Sequence, residues 1–166
     1  FSLTLGSLFD GSGGFPLGGV IAGITPKWAA EIEPFPIRVT SVRFPNMTHL
    51  GNISEISGAE IEPVDIITFG SPCQDMSVAG KREGLAGARS GLFMEQIRII
   101  KEMREHDRIS ADDNIRHIRP RFMVWENVPG AFSSNNGEDF RAVLEETARI
   151  ADKDAIIPRP PKGKWA

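Results

Sequence analysis

The sequence predicts an α/β domain built on a mostly parallel sheet with flanking helices. Three observations carry this. Short apolar, strand-like runs recur at residues 3–9, 28–32, 64–69 and 122–125; stretches with helical spacing lie between them; and each run ends in a turn of glycine, proline or acidic residues. Strand and helix in alternation favour parallel strands joined by right-handed crossovers. In such sheets ligands bind beyond the C-terminal ends of the strands. The turns at 9–14, 31–33, 70–74 and 126–130 are therefore expected on one rim. A chain of 166 residues with 40% apolar and 25% charged side chains can build one sizeable core, so a single domain over residues 1–166 is expected.

The elements follow in order. Residues 3–9 form a first strand, and the glycine-rich turn 10–14 leads into a short helix over 15–22. A second strand spans 28–32. Pro34 fits a first helical turn, so a helix is expected over 35–44. Ile53 closes a short third strand. Residues 64–69 (VDIITF) read as a strand buried on both faces. A long glycine-rich loop, 70–90, precedes a helix over 92–103, whose apolar stripe (Leu92, Phe93, Ile97, Ile100, Met103) is core packing. Residues 105–118 read as an exposed charged connector, 122–125 (FMVW) as another buried strand, and 140–150 as a helix capped from within 133–136. The proline-rich, basic tail at 158–165 shows no period.

Composition narrows the function classes. A net charge of −3 excludes a polybasic nucleic-acid tail or an electrostatic membrane binder, while leaving room for one local nucleic-acid patch. The single cysteine, Cys73, excludes an intrachain disulfide and a cysteine-rich zinc site; no metal site is expected. With no apolar run near the roughly 18–20 residues of a membrane span and no signal peptide, a cytoplasmic chain is expected.

Four groups of residues point to chemistry. The Gly11-x-Gly13-Gly14 turn lets backbone approach a ligand where a Cβ would clash, at a helix N-terminus. Pro16 stands where the third glycine of a dinucleotide fingerprint belongs. Glu31, 20 positions after Gly11, suits a ribose diol, which both NAD and S-adenosylmethionine present; otherwise it is a solvated side chain beside a tight turn. Cys73, directly after a buried strand, is either a small packing residue or a thiolate favoured by loop amides. His49, His106 and His117 lie in polar segments, which argues against a cysteine-protease pairing. Glu126, ending a buried strand, is either a desolvated proton donor or a turn cap. Lys81, Arg82 and Arg89 are solvated loop charges or phosphate contacts.

Taken together, the segments Phe9-Asp10-Gly11-Ser12-Gly13-Gly14-Phe15, Glu31, Gly70-Ser71-Pro72-Cys73-Gln74 with Ser77, Arg89 with Gly91-Leu92-Phe93, and Glu126-Asn127-Val128 resemble the DNA cytosine-5 methyltransferase family. The resemblance implies a Rossmann-like S-adenosylmethionine-dependent methyltransferase fold, covering the first part of the family's catalytic domain and incomplete at the C-terminus. It implies that double-stranded DNA is the substrate, with the target cytosine flipped out of the stack. Cys73 would attack C6, Glu126 would hold the N3 edge, and Asn127 would position its loop. Phe9, Asp10, Gly11, Ser12, Gly13 and Gly14 would bound the cofactor, Glu31 its ribose and Ile32 a face of the adenine, with Pro72 and Leu92 lining the same pocket. Gln74, Ser77 and Arg89 would belong to the loop that closes over DNA. The product would be S-adenosyl-L-homocysteine. A bacterial or phage restriction-modification setting is the expected source.

Two departures stand out. Asn52-Ile53 replaces the family's usual Asp-Ile, and an asparagine oxygen still accepts a hydrogen bond from the adenine amine, with weaker cofactor affinity expected. The sequence also ends before the family's target recognition region. The chain alone is therefore expected not to methylate, and either to self-associate through an exposed apolar edge strand or to need a C-terminal half. The alternatives are an RNA cytosine-5 methyltransferase, a non-catalytic cofactor- or partner-binding remnant, and, on the glycine turn alone, a nicotinamide oxidoreductase.

Overall fold

The computed structural model describes residues 2–70, 91–110, 117–159 and 165. The chain divides into two compact parts, Phe1–Gly70 with Arg98–Glu126, and Ser71–Ile97 with Asn127–Ala166.

The first part holds a parallel sheet of five strands: β1 (Thr4–Leu8), β2 (Thr25–Ala30), β3 (Thr48–His49), β4 (Ile66–Phe69) and β5 (Phe122–Trp125), in the order β3-β2-β1-β4-β5. The chain runs outward from β1 through β2 to β3, then returns to the other side of β1 for β4 and β5. The order thus reverses between β1 and β4, the switch point at which open α/β sheets leave a crevice. Helix α1 (Gly14–Ile21) joins β1 to β2, and α2 (Pro34–Arg43) joins β2 to β3. A longer helix, α3 (Leu92–Ser110), precedes β5.

The sheet's core follows from its pattern. Leu8, Trp28, Ala30, Val64, Ile67 and Phe69 are buried, as are Ile99, Ile100 and Met103 of α3. Trp28 lies opposite Gly6, where a Cβ would come within 2.1 Å of the indole ring, so only glycine at position 6 admits that ring. The Trp28 indole N–H donates to the Glu62 carbonyl at 2.8 Å. At the far end, the Asp65 carboxylate accepts from the Thr4 amide and hydroxyl, both at 2.9 Å, and fixes the start of β4 against β1.

Several sequence readings are corrected here. The second strand begins at Thr25, ahead of the predicted residue 28, and closes at Ala30. Ile53 does not close the third strand; β3 is Thr48–His49, and Ile53–Glu55 is a 3-10 turn capped by the Asn52 side chain. Helix α3 continues through residues assigned to a connector, to Ser110, because Met103 and Asp107 keep the buried stripe going. The strand β5 is not buried on both faces: Phe122 is 50% and Val124 44% exposed, since β5 stands at the sheet's edge.

In the second part, α4 (Glu138–Ala148) is preceded by 3-10 turns at Pro129–Phe132 and Ser134–Gly137. Ala142 and Val143 are buried, and Phe140 meets Phe132 and Trp165 edge-on at 4.8 and 5.7 Å between centroids. The caps expected from residues 133–136 do not form, since no side chain caps the helix at its N-cap. The Ser134 hydroxyl donates to Asp139 at 2.6 Å, while Gly137, with φ 80°, occupies the N-cap itself.

Candidate cofactor and catalytic rim

The turn after β1 is built from unusual backbone. Phe9, Gly11 and Gly13 have φ of 54°, 59° and 87°. Glycine is needed at Gly13 for a second reason: a Cβ there would stand 2.9 Å from both Thr40 and Phe44 of the α2 region. At Gly11 and Gly14 a Cβ would meet nothing within 4 Å, so their outer side is open for a ligand to approach the backbone. The turn delivers the chain into α1, whose first amide N–H groups have no intrahelical partner.

Glu31, just past β2, clasps this turn. Its Oε2 accepts from the Gly11 amide at 2.8 Å, and its Oε1 accepts from the amides of Ile32 and Glu33 at 2.9 and 3.0 Å. The sequence reading offered ribose contact or a solvated side chain; the clasp is a third role, and its only sequence signal is the 20-residue spacing. Three amides occupy three of the carboxylate's roughly four acceptor directions, leaving one on Oε2 for a ligand hydroxyl. Ile32, 62% exposed, stands beside it as an apolar surface available to a flat ring.

Asp10 lies beneath the turn. Its amide donates to the Ala30 carbonyl at 3.1 Å, and its carbonyl accepts from Gly13 at 3.3 Å. Its carboxyl is buried, which raises its pKa to about 6; the nearby Ser7 hydroxyl opposes the rise without a full hydrogen bond, and the Glu31 charge adds to it. The open space at Gly11 and Gly14, the spare Glu31 acceptor and the exposed Ile32 together fit a nucleoside cofactor.

Asn52 is exposed, and its Oδ1 accepts from the Ser54 amide at 3.0 Å. Ile53 is buried. Their turn is held from α3: the Arg98 guanidinium donates to the carbonyls of Ile56 and Ile53 at 2.9 and 3.2 Å, and Glu102 accepts from the Gly58 amide at 2.7 Å. Arg98 and Glu102 pair with one another at 3.1 Å. Sequence reasoning missed both; their i,i+4 spacing was the available signal.

At the ends of the neighbouring strands, the Glu126 amide donates to the Phe69 carbonyl at 2.9 Å. A Cβ on Gly70 would lie 3.0 Å from Glu126 Oε2. Glu126 thus stands over Gly70, three residues before Cys73 in the sequence. Glu126 is exposed, correcting the expectation of a desolvated carboxyl: it sits past the edge strand, where no further strand covers it among the described residues. Asn127 accepts from Val128 at 2.8 Å through Oδ1, and its Nδ2 is buried without a hydrogen-bond partner. Leu92 opens α3 and is half-buried. Pro72, Cys73, Gln74, Ser77 and Arg89 lie outside the described residues. Among the described residues no group of three His, Cys, Asp or Glu converges to hold a metal, and no helix is long and apolar enough to cross a membrane.

The parallel sheet, with its order reversed between β1 and β4 and its glycine turn clasped by Glu31, defines an open α/β fold. The family model for C-5 cytosine-specific DNA methylases matches residues 3–150, and the chain belongs to that family. It is 36% identical over 132 residues to the Type II methyltransferase M2.BsuMI of Bacillus subtilis (80% of this chain, 31% of that protein) and 31% identical over 161 residues to M1.HphI of Haemophilus parahaemolyticus (92% and 39%). It is also 36% identical over 149 residues to a protein of Escherichia phage P1 named DNA N-6-adenine-methyltransferase (86% and 18%). The chain thus spans well under half the length of these relatives. A solved structure described as a putative DNA modification methyltransferase encoded within a prophage of E. coli superposes with a TM-score of 0.63 at 25% identity, over 89% of this chain and 38% of that one. The S. pombe Dnmt2 methyltransferase shares the fold, with a TM-score of 0.54 at 20% identity over 86% and 39%.

Proposed function

We propose that this chain forms the cofactor-binding and catalytic part of a DNA cytosine-5 methyltransferase that uses S-adenosylmethionine and a covalent cysteine intermediate. The observation that carries it is the placement of Glu126 against Gly70, three residues before Cys73, on the same sheet rim as the turn that Glu31 clasps.

On this reading the backbone of Phe9–Gly14 borders the cofactor, with the spare acceptor of Glu31 for a ribose hydroxyl and Ile32 against the adenine. Asn52 retains one oxygen lone pair beyond its bond to Ser54 for the adenine amine. When bound, the cofactor supplies an electrophilic methyl on a sulfonium. A flipped cytosine enters with its N3 edge toward Glu126. The Cys73 thiolate adds to C6, forming an S–C6 bond and moving the ring's electron pair to C5, which takes the methyl. Loss of the C5 proton then returns the electron pair and expels the thiolate. Pro72 and Leu92 complete the cofactor pocket, Gln74, Ser77 and Arg89 serve the DNA-facing loop, and Asn127 fixes the segment after Glu126.

The test is trapping. Duplex DNA carrying 5-fluorocytosine blocks the final proton loss, so in the presence of S-adenosylmethionine the chain, joined to a relative's remaining segment, should form a denaturation-stable adduct that Cys73→Ser abolishes. The phage relative's name favours a second reading, methylation of adenine N6. That exocyclic amine would accept the methyl directly, with no thiolate step, and methylation of adenine that survives Cys73→Ser would select it.

A further inference from the structure

Asp10 is a carboxyl without a partner. The residue is 6% exposed, and both side-chain oxygens are buried with no hydrogen bond. It lies at the turn from β1 into α1, near the hydroxyl of Ser7, which stands in register with Thr68 of β4; both hydroxyls are likewise buried without a hydrogen-bond partner. Among the described residues no neighbouring cation compensates it. Helix α1 carries no titratable residue, and β4 offers Thr68. Glu33, Arg38 and Arg43 of the α2 segment are exposed, and Lys27 of β2 is paired with Glu62 at 3.0 Å. The charge that acts on Asp10 is the carboxylate of Glu31, which is negative. A buried acid so placed either keeps its proton or acquires a positive charge from outside.

S-adenosylmethionine and its product differ by one such charge, the sulfonium. We propose that Asp10 distinguishes the two: it releases its proton to solvent when the positively charged cofactor occupies the glycine turn, and it keeps the proton when the neutral thioether product does. No covalent bond other than the carboxyl O–H is broken, and the ionised Asp10 acts on the sulfonium through space. The proposal rests on the cofactor reading above. It accounts for a carboxyl at a position where burial alone favours an apolar residue. The direction of the pH effect follows: Asp10 is pushed up to about 6 in the free chain, so preference for the sulfonium form rises with pH through that value and levels off above it.

Isothermal titration of the chain with S-adenosylmethionine and with S-adenosylhomocysteine, at pH 6 in buffers of different ionisation enthalpy, counts the protons released. A one-unit fall in the Asp10 pKa predicts release of about 0.4 proton with the sulfonium and none with the thioether, and a roughly fivefold rise in the affinity ratio from pH 5 to pH 7.5. Asp10→Asn should release none with either ligand. Equal release with both ligands, or release retained by Asp10→Asn, overturns the proposal. Binding of neither ligand to the wild-type chain overturns the cofactor reading, and this inference with it. Should Asp10→Asn not fold, carbon-13 carboxyl NMR of the wild type decides: the Asp10 midpoint must fall with S-adenosylmethionine and stay with the product, and an identical midpoint in both complexes overturns the assignment.

Discussion

Glu31 and Asp10 are both carboxylates at the mouth of the first strand pair, and the structure treats them in opposite ways. Glu31 accepts from three amides, whereas the Asp10 carboxyl is buried with none. Glu31→Ala removes three charge-assisted backbone contacts from a half-exposed site, so it should cost about 1–3 kcal/mol of stability and lower affinity for S-adenosylhomocysteine at least tenfold; denaturant melts and titration calorimetry measure the two separately. Asp10 sets a pH dependence of folding. Its folded pKa of about 6 exceeds the ordinary 3.8 of an exposed aspartate, so between these values the folded chain binds more protons than the unfolded one and stability falls as pH rises. Asp10→Asn should match the wild type near pH 3.5 and exceed it by up to about 3 kcal/mol above pH 7, measured by urea unfolding across that range. The 20-residue spacing from Gly11 to Glu31 was legible in the sequence; that Glu31 holds the turn itself was not, because spacing does not reveal which atoms a carboxylate meets. Nor did it show Asp10 as buried, since its hydrophilic, turn-forming neighbours suggest solvent.

At the scale of elements, α3 organises what the strands leave loose. Arg98 and Glu102 grip the turn that carries Asn52 and Ile53, while Arg104 donates to the carbonyls of Ile118 and Pro120 at 3.0 and 2.6 Å. Asp107 pairs with Arg119 at 2.7 Å. Opposite sides of this helix therefore brace the 53–58 turn and the entry to β5. Arg98→Met keeps helix propensity but leaves two carbonyls without their donor; it should weaken S-adenosylhomocysteine binding several-fold and lower the melting temperature by a few degrees, with Arg98→Lys recovering only part, because an ammonium lacks the planar fork. A larger effect belongs to Gly6→Ala. Its methyl would meet the buried Trp28 ring at 2.1 Å, and overpacking there should cost about 1–3 kcal/mol or more, read from the unfolding midpoint. The strands and helices were largely predictable from apolar runs and helical period. The extension of α3 to Ser110 was not, since its charged residues look solvated until their partners at 118–120 come into view.

For the whole molecule, the decisive feature is the reversal of strand order between β1 and β4. It places the ends of β1, β2, β4 and β5 on one rim and so gathers residues from positions 9–14, 31–32, 70 and 126. The same arrangement leaves β5 as an edge among the described residues, with Phe122 and Val124 half exposed and the Arg121 guanidinium 5.3 Å over the Phe122 ring. An apolar edge is a template for pairing. Sedimentation of the 166-residue chain should show concentration-dependent association that Val124→Lys reduces; a monodisperse wild-type monomer at all concentrations would count against it.

By itself the sequence determined the parallel α/β class, the glycine turn, the rim on which chemistry collects and, through motifs such as Pro72-Cys73-Gln74 and Glu126-Asn127-Val128, the methyltransferase family. These are local properties: period, glycine placement and short motifs are written in neighbouring residues. Only the tertiary structure decided that Glu31 clasps Gly11, that Arg98 holds the Asn52–Ile53 turn, that Glu126 is exposed beside Gly70 and that Asp10 is buried without a partner. Each of those depends on which distant segments the sheet order brings within hydrogen-bonding distance, and no linear pattern encodes that distance.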